Sequence, residues 1–305
     1  MTFATTHEIA GGGGLRLHVR EAGPPEAPPI LFVHGWAQHH VAWARQAPLA
    51  ATHRLVALDL RGHGASEAPQ DEAAYTDTAL WADDIAAILD ALGLDAPVLV
   101  GWSYGARVIG AYLEHHGDAA LAGVALAGPI AAIGAAREDW MAGPASPGMD
   151  RDLYTRDQPR RLAATVRFVE GMTAAPLDRA RLATLVGAAM LVAPAVRRAL
   201  FRADVDLRPV FARLARPGLV VHGRADGVVT PETGAALAEA MAQGRLEAWE
   251  GIGHAPFLED PDRFAATLAA FVSECREALA RSLPHRAAPH RRDTDVKQTD
   301  NRPPE

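Results

Sequence analysis

Several things are scarce in this chain, and each scarcity removes a class of function. One cysteine, Cys275, stands among 305 residues, so no internal disulfide can form. The helical-looking stretch 264–280 around it has no Cys or His partner at metal-ligand spacing, which leaves a packed or surface thiol. Basic residues are not in excess: 30 Lys and Arg face 37 Asp and Glu, for a net charge of −7 and an isoelectric point near 6.0. No global positive field holds a phosphate backbone, so nucleic acid is not an expected partner. Nor does any apolar run approach the length of a membrane span. Residues 1–14 lack a basic segment followed by an apolar core, and a cytoplasmic protein without membrane attachment is expected. The glycines at 11–14 lack the Gly-Lys-Ser/Thr that a phosphate loop requires and read as a turn. The histidines are scattered, so neither a metal nor a cofactor is expected.

Apolar residues are abundant, at 49%, enough to bury a large core as one domain with an insertion or as two domains. Residues 6–9 and 15–20 alternate as a half-buried hairpin, with Leu15, Leu17 and Val19 on one face. Ile30 to Val33, Leu55 to Leu58, 97–102, 121–126, Gly218 to Gly223 and Leu246 to Trp249 read as strands. The most continuous of these apolar runs suit burial on both faces of a sheet. Helical patterns lie between them at 41–51, 75–92, 104–116, 231–242 and 262–280. Strand and helix in alternation predict an α/β fold with a mostly parallel, doubly wound sheet, its chemistry at the carboxyl ends of the strands. The alternation stops between Pro129 and Pro217, where 140–150 is loop-like. Amphipathic helices are predicted there at 160–172, 177–191, 195–201 and 207–214, with no strand. A helical cap over the site, residues 129–216, is therefore expected, inserted into a core of 1–128 and 217–282. Residues 283–305, rich in Arg, His, Asp and Pro, read as a disordered tail.

The stretch that organises the chain is Gly101-Trp102-Ser103-Tyr104-Gly105-Ala106. A strand that turns at once into a helix brings backbones together, and Gly101, Gly105 and Ala106 leave that room. The apex residue is forced into a strained conformation that lifts its Oγ from the sheet, so Ser103 reads as a nucleophile. A hydroxyl needs a neutral imidazole to accept its proton, and the imidazole needs a carboxylate to hold its tautomer. Two later strands run into Asp226 and His254, in the order Ser, Asp, His. A developing oxyanion needs two N–H donors. The backbone of Tyr104 is one, and Trp36, after the His34-Gly35 strand end, is the natural second. His34 and His63 read as structural hydrogen-bonders at turns, Asp59 as the organiser of its loop, and Asp83 and Asp84 as solvated or capping helix residues. Trp102, Trp140, Met172 and Met190 are candidate pocket residues, with simple cap packing as the alternative for the last three.

Through His34-Gly35-Trp36, Asp59-x-Arg61-Gly62-His63-Gly64-x-Ser66, Gly101-x-Ser103-x-Gly105, Asp226 and Gly253-His254 the chain resembles the α/β-hydrolase superfamily across residues 30–272. The segments 100–105 and 253–257 are similar to two groups: cofactor-free haloperoxidases with their arylesterase relatives, and pimeloyl-carrier-protein methyl ester esterases. The resemblance implies a serine hydrolase of small acyl esters working without a cofactor. Perhydrolase chemistry at the same site is one alternative, and carrier-linked ester cleavage is another. Ser103 stands where haloalkane dehalogenases and epoxide hydrolases need a carboxylate, and 127–129 offers no acid to rival Asp226. Ala106-Arg107 departs from the usual second glycine, and Arg107 reads as a surface or cap-facing residue. The arginines at 151, 156, 160, 161 and 167 either dock an acidic carrier protein or form a solvated face. A hydrolase-fold binding protein that does not turn over is the rival from another class.

Overall fold

The apolar runs become the middle of a sheet in a computed structural model that describes residues 3–282. Strands β1 (Thr5–Ala10), β2 (Arg16–Ala22), β3 (Pro29–Val33), β4 (Arg54–Leu58), β5 (Val98–Trp102) and β6 (Gly123–Ala127) precede the expected insertion. After it come β9 (Gly218–Gly223) and β10 (Gly244–Trp249), following two short strands, β7 (Ala132–Ile133) and β8 (Val205–Asp206). The eight long strands lie in the order β1-β2-β4-β3-β5-β6-β9-β10. From β4 to β10 all neighbours are parallel, while the β1–β2 hairpin joins antiparallel at the β4 edge. Every residue of β3, β5, β6 and β9 is buried, as runs without polar alternation require when helices cover both faces. The tail 283–305 lies outside the described residues.

The helices are α1 (Ala73–Thr76), α2 (Thr78–Leu92), α3 (Gly105–His116), α4 (Gln158–Glu170), α5 (Arg179–Leu191), α6 (Pro194–Ala199), α7 (Arg208–Phe211), α8 (Pro231–Ala240), α9 (Pro256–Glu259) and α10 (Pro261–Ser282). Residues 40–51 form a 3₁₀ helix instead of an α-helix. The single helix expected at 75–92 is two, because the Asp77 carboxylate accepts from the Ala79 N–H and starts α2 afresh. Between β6 and β9 the chain carries α4 to α7, as predicted. It also holds the β7–β8 pair, which the sequence reading lacked, because two-residue strands are too short for any period to register.

Candidate active site

Ser103 stands between β5 and α3 with φ of +53°, a left-handed conformation that a non-glycine residue adopts only where its surroundings impose it. The small residues permit the turn. A Cβ on Gly105 would lie 2.5 Å from the Val33 carbonyl oxygen, and one on Gly101 would lie 3.0 Å from the Gly105 carbonyl carbon. The Ser103 N–H donates to the Ala127 carbonyl (3.0 Å), tying the turn to the end of β6. Ser103 opens onto a cavity of about 240 Å³ shared with Trp36, Trp102, Tyr104, Met172 and His254.

His254 is buried, and its Nδ1 lies 2.8 Å from Asp226 Oδ2. The Asp226 carboxylate is closed to solvent. Its Oδ1 accepts the Val228 and Val229 N–H groups at 2.8 and 3.0 Å, and its Oδ2 also faces His222 Nε2 at 2.9 Å. Burial alone would raise this carboxyl, but His254 foremost, then hydrogen bonds from both histidines, hold it well below the usual carboxylate range. Asp226 is thus ionised at neutral pH and fixes the His254 ring with Nδ1–H toward itself and Nε2 available as a base. No hydrogen bond joins Ser103 to His254 among the described residues; they meet as neighbours on the cavity wall.

Two residues of the cavity wall keep backbone N–H groups outside the turn hydrogen bonds. The N–H groups of Gln38, Ala106 and Arg107 are engaged by the carbonyls of Gly35, Ser103 and Tyr104, while those of Trp36 and Tyr104 make no such turn bond among the described residues. Both residues line the cavity. The Trp36 ring packs on Phe168, Tyr154 and Phe201, so an apolar wall brings residues of the insertion against the β3 end.

The pocket candidates divide. Met172 lines the cavity, and its carbonyl accepts the His254 N–H at 2.8 Å. Trp102 lines the cavity too, and its Nε1–H donates to the His254 carbonyl at 3.0 Å, so it holds the histidine loop as well as the wall. Trp140 and Met190 are corrections. Trp140 is 41% exposed with its Nε1–H on Glu138, and Met190 packs against the hydrophobic core away from the cavity. Helical spacing marks the face that carries Met190 but not which cavity that face meets, and the loop-like stretch around Trp140 carries no spacing at all.

Asp84 also parts from expectation. Asp84 is fully buried in a two-bond pair with Arg61, both at 2.7 Å, and also accepts the Gly12 N–H. It is neither solvated nor a cap. His34 accepts the Leu60 N–H at Nε2 and faces the Gly35 carbonyl through Nδ1, the structural role expected of it. Asp59 organises its loop through the N–H groups of His40 and Ala65. His18, His40 and Asp59 bring ligand atoms within 4.8 Å of one another. They lie outside the Ser103 cavity, with Asp59 already bonded to the His40 ring at 2.7 Å. Missed in the sequence were His222, whose signal was its place four residues before Asp226, and Tyr154, Phe168 and Phe201, which carried none.

The family model described as alpha/beta hydrolase fold matches residues 28–261. The chain belongs to that family. This alpha/beta hydrolase is similar to the crystal structure of the esterase RhEst1 from Rhodococcus sp. ECU1013, at 36% identity and a TM-score of 0.84, over 88% of this chain and 99% of that one. It is also similar to the pimeloyl-[acyl-carrier protein] methyl ester esterase of Nitrosospira multiformis, 26% identical over 85% of this chain and 99% of the relative. A third relative is the non-heme chloroperoxidase of Streptomyces lividans, 28% identical over 87% of this chain and 98% of the relative. Both groups expected from the site motifs are therefore among its relatives. No helix among the described residues is long and apolar enough to cross a membrane.

Proposed function

We propose that this alpha/beta hydrolase cleaves carboxylic esters through an acyl-enzyme on Ser103. The observation that carries the reading is the Asp226-held His254 ring on the wall of the cavity that Ser103 lines. Ser103 Oγ attacks the ester carbonyl as His254 Nε2 takes its proton. Asp226 stabilises the imidazolium, and the Trp36 and Tyr104 N–H groups receive the oxyanion, each such donor contributing about 3 kcal/mol in comparable sites. His254 then protonates the leaving alkoxide, and water, activated by the same ring, releases the acid. The apolar wall of Trp36, Tyr154, Phe168 and Phe201 and the cavity volume support a short or aromatic acyl group. Similarity to a non-heme chloroperoxidase favours one second reading, in which hydrogen peroxide replaces water and the acyl-enzyme yields a peracid.

The deciding experiment is hydrolysis of p-nitrophenyl esters from acetate to octanoate by the parent and Ser103→Ala, with fluorophosphonate labelling of both. Turnover and labelling in the parent that vanish together in the variant are expected. A parent that neither labels nor turns over any ester would overturn the proposal and favour a binding protein.

A further inference from the structure

Three arginines are fully buried among the described residues: Arg61, Arg107 and Arg197. Two are provided for. Arg61 pairs with Asp84, and Arg197 donates to the carbonyls of Val192 and Leu153 and to Thr165 Oγ1. Arg107, 1% exposed, has no hydrogen-bond partner for Nε, Nη1 or Nη2. Its guanidinium has one ring contact, 5.8 Å from the centre of Tyr104, which supplies no acceptor for its five N–H donors. A guanidinium cannot shed its proton to escape burial, so an unpaired one is maintained only against a large desolvation penalty. Burial excludes the surface reading of Arg107 and leaves the cap-facing one.

Arg107 is one of the residues around a cavity of about 360 Å³ that shares no lining residue with the Ser103 cavity. One face of α3 supplies Arg107, Gly110, Ala111 and Glu114, at helical i, i+3, i+4 and i+7 spacing. The opposite wall, from β8 and α7, is apolar at Leu207, Pro209 and Val210. At its rim, exposed Glu114 and Asp204 stand with exposed Arg213. Asp206 also lines it but is bonded by Arg208.

We propose that this cavity is a second binding site, which takes a small organic monocarboxylate with its head on Arg107 and its tail along Leu207, Pro209 and Val210. A guanidinium fork matches a carboxylate in two parallel hydrogen bonds. The apolar wall selects for a hydrocarbon tail over a bare inorganic anion, and the rim carboxylates repel a doubly charged phosphate. Arg107 lies four residues after Ser103, and its N–H bonds the Tyr104 carbonyl, so an occupant touches the helix that begins at the nucleophile turn.

The test is calorimetric titration of the full chain with hexanoate, acetate and inorganic phosphate at matched ionic strength, using the parent, Arg107→Met and Pro209→Trp. Arg107→Met is close in length and removes the buried charge, and Pro209→Trp crowds the mouth from an exposed position while leaving Arg107 intact. Saturable hexanoate binding is expected in the parent, at least tenfold weaker in both variants, with acetate and phosphate weaker than hexanoate. Hexanoate binding equal in parent and variants, or absent from the parent, overturns the site. Phosphate binding tighter than hexanoate overturns the carboxylate assignment. If Arg107→Met fails to fold, Pro209→Trp decides alone.

Discussion

The sheet and the segment inserted between β6 and β9 are held together differently. In the sheet, β3, β5, β6 and β9 are buried throughout and joined by regular ladders, and polar side chains gather at the strand ends. The insertion has short helices and relies on side chains that reach distant main chain. Arg197 bonds the carbonyls of Leu153, Val192 and Ala189, and Glu259, from the sheet side, takes the N–H groups of Ala174 and Ala175. Ser103, Asp226 and His254 all stand on the first kind of structure, while much of the apolar cavity wall stands on the second. Groups that must hold a fixed geometry belong on rigid elements, and surfaces that must admit a substrate belong on elements of lower local stability. The division predicts that sheet-side changes destroy chemistry or folding, whereas changes in the insertion move substrate affinity.

The largest effects are therefore expected at the strand ends. Ser103→Ala should lower kcat by about 10⁴ to 10⁶ in the p-nitrophenyl ester assay without loss of thermal stability, since alanine keeps the Ser103 backbone. Asp226→Asn should lower kcat by about 10⁴, because an amide in place of Oδ2 presents a donor to two histidine donors and turns the His254 tautomer. His222→Gln leaves His254 its carboxylate and should cost far less, about tenfold to a hundredfold on the scale of outer-shell partners. If His222→Gln matches Asp226→Asn, the two histidines are equal partners in setting Asp226, and the order assigned here is wrong.

Stability effects on the sheet side come next. Asp84→Ala strands the fully buried Arg61 and should destabilise by about 3 to 5 kcal/mol in denaturant unfolding, whereas Asp83→Ala, exposed one residue away, should be near neutral. His63 gives the pH dependence. Burial pushes its imidazole down to about 4, so it is neutral when folded, with the ordinary value of 6.5 when unfolded. Between pH 6.5 and 4 the unfolded chain binds more protons, so stability from this group is complete above 6.5 and falls as the pH drops. The loss reaches roughly 3 kcal/mol near pH 4. His63→Asn can keep a donor toward the Arg61 carbonyl that His63 Nδ1 faces at 2.9 Å, and it should flatten the slope of stability against pH in that window. An unchanged slope would remove His63 as its source.

The same division decides what could be read in the sequence. The strands were legible because burial on both faces leaves an uninterrupted apolar run, and the strand-to-helix turn at Ser103 because close backbone approach demands small residues at fixed offsets. Asp226 and His254 were legible by position, each just past a strand. The pairing of Arg61 with Asp84 was not, since it joins residues 23 apart and neither lies in a pattern that marks burial. His222 sits in the same apolar run that revealed β9, which shows that the strand is buried but not that its histidine shares a carboxylate. Within the insertion, helix existence could be predicted from periodicity, but which face meets the cavity depends on how the helices dock. Met172 lines the Ser103 cavity and Met190 does not, although both lie in amphipathic segments of the insertion.

The smallest effects should come from the insertion, and they sharpen the comparison. Arg197→Met removes the donor shared by three carbonyls and the cation 5.5 Å from the Trp36 ring. Carbonyls left unpaired in a buried site cost about 1 to 3 kcal/mol, and the loosened wall should raise KM several-fold while kcat changes little. Trp140→Ala, at an exposed ring bonded only to Glu138, should change stability by about 0.5 kcal/mol or less and leave KM for every ester unaltered. These two variants lie in one segment, yet only the first reaches the cavity wall through Trp36. A rise in KM for Trp140→Ala as large as that for Arg197→Met would mean that the whole insertion responds as a unit, and that cavity contact is not what sets affinity.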